Sequence, residues 1–344
     1  MVLNARDAEQ RGARIMVRTK VISAMREGDL WRVELDGETS DTIYAKALVN
    51  AGGPWVADVV RNVARQNSAE GVRLVRGSHI VTRKLYDHDK CYFFQGADGR
   101  IIFAIPYEID FTLIGTTDAE HLDDPRSAVC TPDERDYLLK FANEYFTETL
   151  TVDDVVWTYS GVRPLYDDGA KSATAATRDY VLSLDDAGAP LLNVFGGKIT
   201  TYRVLAEDAW TKLARFFPDA PGKWTAGVPL PGGDFPVDGV ANLIAELRSQ
   251  YEYLTEAWAK RLVKAYGTDA ATLLGTAETA ADLGRDFGAT LTEAEVRWLM
   301  TKEYAREATD VVWRRSKLGL RLSEDQVAEL DAYMVAQRLS EAAE

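Results

Sequence analysis

Hydrophobic positions along this chain follow two patterns. Up to about residue 217, short apolar runs alternate with turn-formers, and beyond residue 238 apolar residues recur at helical spacing. Met1 to Arg11 reads as a helix already under way, without the cap and loop of a domain start. Ile15 to Val17, Val21 to Met25 and Leu30 to Leu35 are strand-like; the turn-formers Glu27-Gly28-Asp29 and Asp36-Gly37-Glu38 then predict a β-meander. An apolar strand from Ala45 ends in Ala51-Gly52-Gly53, and Pro54 opens a helix through about Arg65. Cys91 to Gln95, Arg100 to Tyr107 and Phe111 to Asp118 predict an antiparallel sheet, and Val72 to Arg83 and Val155 to Tyr159 read as further strands. A helix capped by Thr131 and opened by Pro132 interrupts it.

The run Leu191 to Phe195 pairs with Thr177 to Leu184, then meets Gly196-Gly197-Lys198 and turns into a helix that buries Leu205, Ala209, Leu213 and Phe217. Glycines at a helix start leave free N–H groups and a positive dipole end at one spot, and Lys198 adds a full charge. The corner is either an anion site or a tight turn with a surface lysine. Proline and glycine then crowd residues 218–237, which reads as a linker. Helices follow near 238–251, 254–266, 268–276, 292–304, 307–315 and 323–339, the last with a capping box at Ser323. Arg306, Arg314, Arg315, Lys317 and Arg321 form a basic cluster there, read as a solvated helix face or a phosphate or lipid-headgroup patch.

A length of 344 residues allows two or three domains, and a net charge of −14 excludes a general nucleic-acid binder. Cys91 and Cys130 form no metal or disulfide pattern, which fits a reducing compartment. No apolar run approaches membrane-spanning length, so membrane contact would be peripheral. His79 lies in an apolar strand, whereas His88 and His121 sit among charged residues and are expected to be solvated. A strand histidine by itself is a core residue or a catalyst. Arg163, extended before Pro164, is a surface ion-pair partner or a clamp for carboxylate or phosphate.

Six motifs in order decide among these readings: Val49-Asn50-Ala51-Gly52-Gly53-Pro54-Trp55, Arg76-Gly77-Ser78-His79-Ile80-Val81, Ile114-Gly115-Thr116-Thr117-Asp118, Trp157 to Leu165, Thr177-Arg178-Asp179-Tyr180 and Phe195 to Arg203. With Asp282-Leu283-Gly284 and Trp313 to Gly319 in the helical tail, the chain resembles the flavin-dependent glycerol-3-phosphate dehydrogenases over essentially its whole length. The resemblance implies an α+β/α/β architecture. Residues 1–56 and 157–217 would form an incomplete FAD domain of the glutathione-reductase type, interleaved with an antiparallel-sheet substrate domain, 57–156. The linker and an all-helical carboxy-terminal domain, 238–344, would follow. It also implies FAD as cofactor, glycerol 3-phosphate and dihydroxyacetone phosphate as substrate and product, and quinone as acceptor. The expected location is cytoplasmic, peripherally on the inner membrane face, with a homodimer allowed.

Carried onto this chain, the resemblance makes His79 the base, Arg163 the phosphate clamp with Arg178 more distant, and Thr117 and Asp118 pocket-lining residues. Lys198, Gly196 and Gly197 would stabilise charge at the flavin edge, with Ala51, Gly52, Gly161 and Thr200 also against the cofactor. The family's amino-terminal portion has no counterpart here, and no G-x-G-x-x-G occurs. The chain is therefore expected to be a fragment that holds little flavin by itself. Two alternatives stand: a glycerophosphate oxidase or an amine- or amino-acid-oxidising flavoenzyme of the same superfamily, and a non-catalytic truncated product.

Overall fold

A twelve-residue strand, Val72–Arg83, is the one on which the main sheet is assembled. This computed structural model describes residues 1–68, 70–96, 99–169 and 177–341. It divides into two units: Arg18–Ala226, and Met1–Val17 with Gly227–Glu344.

In the first unit β1 (Thr19–Glu27), β2 (Leu30–Gly37) and β3 (Asp41–Ala45) make the predicted meander around buried Trp31, Val33 and Leu35. Ile15 to Val17 is not a strand, because Arg18 takes a φ of +49° that breaks the extension. The short β4 (Leu48–Asn50) runs into a helical segment through α2 (Val56–Asp58) to Val63. Among the described residues the main sheet is ordered β10-β5-β8-β7-β6, with β9 also on β5. Its strands are β5 (Val72–Arg83), β6 (Tyr92–Gln95), β7 (Ile101–Tyr107), β8 (Phe111–Gly115), β9 (Ala119–Glu120) and β10 (Val155–Tyr166).

One face of this sheet, with Ile80, Ile102, Ala104 and Ile114, packs on Leu138, Leu139, Phe141 and Ala142 of α3 (Pro132–Asn143). Thr131 caps α3 as expected, in a capping box with Glu134. The expected strand at Val155 continues past Tyr159, because every residue to Tyr166 finds a partner on β5. A second sheet joins β11 (Tyr180–Asp185), β12 (Leu191–Gly196) and β4, with β4 and β12 parallel. The helix after the diglycine corner, α4 (Tyr202–Leu213), begins only after a 3-10 turn at Ile199–Thr201. It buries Ala209 and Leu213 against Leu192.

The second unit starts with α1 (Val2–Gln10) and continues with α5 (Val240–Gln250), α6 (Glu256–Tyr266), α7 (Asp269–Leu274), α8 (Glu293–Lys302) and α9 (Glu324–Glu341). Its core gathers Leu262, Leu291, Val296, Leu299, Val311, Leu330 and Met334. Residues 1–17 group with the helices: buried Arg6 donates to Asp269 at 2.8 Å and lies 5.2 Å over Trp298, and Tyr304 donates to Glu9. Residues 218–237 are packed, not free. Pro221 accepts from Trp210 in the first unit, whereas Gly232 carbonyl accepts from Thr268 in the second. A β-carbon at Gly267 would stand 1.9 Å from Gly232 oxygen, so this contact needs glycine.

Candidate active site

Strand alternation places Val75, Gly77 and His79 on the face of β5 that α3 does not cover. Their antiparallel partners on β10 are Arg163, Gly161 and Tyr159, and across β8 His79 faces Gly115. The sheet therefore brings His79 and Arg163 onto one face, separated by a glycine strip. Both side chains occupy the room these glycines leave. A β-carbon at Gly77 would lie 2.2 Å from Arg163 Nη2, and one at Gly115 would lie 2.2 Å from His79 Cδ2.

Arg163 is fixed by three donations: Nη1 to Asp118 Oδ1 at 2.7 Å and to Thr117 carbonyl at 3.3 Å, and Nη2 to Thr116 Oγ1 at 2.9 Å. These donations use three of the guanidinium's five N–H groups. Burial, then the neighbouring Arg163 charge, lowers the His79 pKa to about 4. The imidazole is thus neutral at neutral pH and able to accept a proton. Its Nδ1 is buried with no hydrogen-bond partner among the described residues.

The remaining expected residues divide. Asp118 joins the cluster as the Arg163 partner. Thr117 does not line an open pocket: its hydroxyl is buried, accepting from Ser78 N–H and donating to Glu134 Oε1 at 2.7 Å. Arg178 is exposed ahead of β11, outside the Arg163 cluster. Lys198 is half exposed and 3.9 Å from Asp179, and Thr200 is exposed in the 3-10 turn. Gly196 and Gly197 have φ of +70° and +103°, and Gly196 abuts Tyr166 at the end of β10. Tyr166 lies three residues beyond Arg163, about 10 Å along the strand. His121, expected to be solvated, is buried and bonded to Asp124 carbonyl; His88 is exposed beside the Tyr92 hydroxyl.

Two features escaped the sequence reading. Glu134, read only as part of a helix start, is buried and accepts from Thr117, Thr131 and Arg76, tying α3 to the loop that holds Arg163. Its pattern Thr131-x-x-Glu134 is visible, but the Arg76 and Thr117 contacts are tertiary. Asn50 and Asn193, opposed in the parallel pair, clasp through Asn50 Nδ2 to Asn193 Oδ1 at 2.9 Å. Asn50 also accepts from Gly52 N–H, which shapes the turn after β4.

A cavity of about 640 Å³ opens at that turn, lined by Leu48 to Gly52, Trp55 and Val59 with Lys20, Asp58 and Arg126. It lies at the carboxyl end of a parallel strand, where open α/β sheets bind ligands. Ala51 and Gly52 line this cavity, whereas His79, Arg163 and Lys198 do not. The residues fit the ring side of a flavin: a β-carbon at exposed Gly161 would meet nothing within 4 Å, so a flat group can approach that backbone. The pyrophosphate side is not matched by the turn after β4, where Pro54 removes an N–H and only a three-residue α2 follows.

Comparison with known proteins divides the chain near the same place at its carboxy-terminal end, but keeps residues 1–17 with the oxidoreductase part. Residues 1–203 match the family described as FAD dependent oxidoreductase, and residues 223–341 the C-terminal domain of alpha-glycerophosphate oxidase. The aerobic glycerol-3-phosphate dehydrogenase of Escherichia coli is 42% identical over 99% of this chain and 69% of its own length. The D-erythritol 1-phosphate dehydrogenase of Brucella abortus is 44% identical over 94% of this chain and 65% of its own length. The FAD complex of glycerol-3-phosphate dehydrogenase from Bacillus halodurans superposes with a TM-score of 0.82 at 28% identity, covering 99% of this chain and 68% of that one. The chain therefore spans about two thirds of the length of the relatives it matches.

Proposed function

The chain belongs to the FAD-dependent glycerol-3-phosphate dehydrogenase family, and from that premise we propose that its open sheet face serves oxidation of sn-glycerol 3-phosphate to dihydroxyacetone phosphate. The observation that carries this reading is the pairing of a neutral imidazole with a guanidinium across the Gly77–Gly161 strip. Arg163 holds the phosphate and orients the adjacent secondary alcohol toward His79. His79 takes the hydroxyl proton as the C2 hydride departs. When bound, FAD supplies the two-electron acceptor for that hydride. Ala51, Gly52, Gly161, Gly196, Gly197, Lys198 and Thr200 are the residues we assign to it, with Lys198 placed to offset negative charge at its edge.

Onward transfer to a quinone at the inner face of the membrane completes the proposal. Among the described residues no helix is long and apolar enough to cross a membrane, so that contact would be peripheral. A second reading has a specific support: the D-erythritol 1-phosphate enzyme is as similar as the glycerol 3-phosphate enzymes.

The test is dye reduction by the chain supplemented with FAD, alone and fused to the part of the E. coli enzyme that it does not match. Turnover of glycerol 3-phosphate that disappears in His79→Gln supports the proposal. Turnover of erythritol 1-phosphate alone would replace the substrate. No turnover of either by a fusion that binds FAD would end the catalytic reading.

A further inference from the structure

The His79 ring is enclosed from two sides by its own cross-strand neighbours. On β10, Tyr159 stacks on it with ring centroids 4.8 Å apart and planes 7° from parallel. On β8, the bare backbone of Gly115 faces it; a β-carbon there would stand 2.2 Å from Cδ2 and 2.7 Å from Cγ. Directly opposed residues of antiparallel strands lie about 4.5–5.5 Å apart, so the register itself produces the stack.

We propose that Tyr159 and Gly115 are the positioning residues of His79, one aromatic face and one side-chain-free backbone that together hold the imidazole in a single plane and exclude water from it. This rests on the reading of His79 as the base. Packing alone gives no reason to keep the ring there, since Nδ1 is buried with no partner among the described residues, an arrangement that costs stability. Tyr159 itself stays a neutral phenol, because burial raises its pKa above the ordinary value.

The ionisable groups around the ring are few. Arg163 on β10 is the charged group that disfavours imidazolium, and β8 contributes Gly115 with no ionisable side chain. Tyr107 of β7 lies near Tyr159, its phenol also raised by burial. Removal of the aromatic face therefore admits water and eases protonation, whereas a phenyl ring in its place does not.

The experiment follows the imidazole signals of the ¹⁵N-labelled chain through a pH titration, with neither flavin nor substrate. In the parent chain and in Tyr159→Phe, His79 should titrate well below the ordinary imidazole value of 6.5. Tyr159→Leu should raise the His79 midpoint by about one pH unit or more, and Gly115→Ala should shift it the same way by expelling the ring. A midpoint in Tyr159→Leu equal to that of the parent, with circular dichroism unchanged, would overturn the proposal. Should Gly115→Ala fail to fold, the Phe and Leu variants of Tyr159 decide alone. Failure of glycerol 3-phosphate as substrate would leave these titrations unmoved, so the two readings fail separately.

Discussion

The Arg163 guanidinium rests on Gly77, where a β-carbon would come within 2.2 Å of Nη2 and 2.5 Å of Cζ. From that seat it reaches Thr116 and Asp118. Gly77→Ala has to evict the guanidinium. It should raise the KM for glycerol 3-phosphate at least about tenfold, ~1.4 kcal/mol. Arg163→Ala should do the same, and the double variant should add little, because both changes remove one interaction. Steady-state kinetics of the FAD-supplemented fusion measures this, and additive losses would separate the glycine from the arginine.

Beneath the sheet, Glu134 joins Arg76, Thr117 and the α3 cap. Burial would raise its pKa, but hydrogen bonds from Thr117, Thr131 and Ser78 and the Arg76 charge outweigh burial and hold the carboxyl below its ordinary value. A group depressed in this way stabilises the fold above the unfolded-state pKa and loses that contribution as pH falls through the folded one. Glu134→Gln should therefore cost about 2 kcal/mol in urea unfolding at pH 7, where hydrogen bonds to a charged group are at stake. The difference should close toward the acid end. A loss independent of pH would mean that shape, rather than charge, is what Glu134 supplies.

These two sites also mark what could be read from the residues in order. Strand periodicity, the Thr131 cap and the helical tail were legible because each depends on near neighbours. His79 and Arg163 could be singled out by residue type, but their shared face depends on β5–β10 register, which no local pattern encodes. Thr117, which the resemblance makes a pocket-lining residue, meets Arg163 through its carbonyl, while its hydroxyl turns under the sheet to Glu134, a split that no local pattern encodes. The ion pair of Arg6 with Asp269, 263 residues away, is tertiary and has no local signal in the sequence.

His79 should leave a signature in acid stability. Its folded-state pKa of about 4 lies below the ordinary 6.5, so the unfolded chain takes up a proton first as pH falls. Stability attached to the neutral ring is present above pH 6.5 and is lost between there and pH 4. His79→Gln should flatten that part of the curve of unfolding free energy against pH while leaving the region above 7 with its parent slope. An unchanged slope between the two values would mean that His79 titrates normally, and would remove the case for a shielded base.

In the helical unit, arginines of similar sequence context should differ sharply in worth. Arg261 donates twice to Glu295 at 2.6 Å and also reaches Thr290, and the Glu295 side chain is 1% exposed and accepts from Tyr266 as well. Arg261→Ala strands that carboxylate away from water and should cost about 3–5 kcal/mol. Arg314, from the basic cluster, pairs with Asp310 one helical turn away while its own side chain is 55% exposed. Arg314→Ala should cost less than about 1 kcal/mol, and less still in high salt. Arg315 and Arg314 both have partners within the fold, so the cluster is read here as structural, not as a bare phosphate or headgroup patch. Urea unfolding of the two variants at low and high ionic strength separates these cases; equal losses would show that burial does not set the strength of ion pairs in this unit.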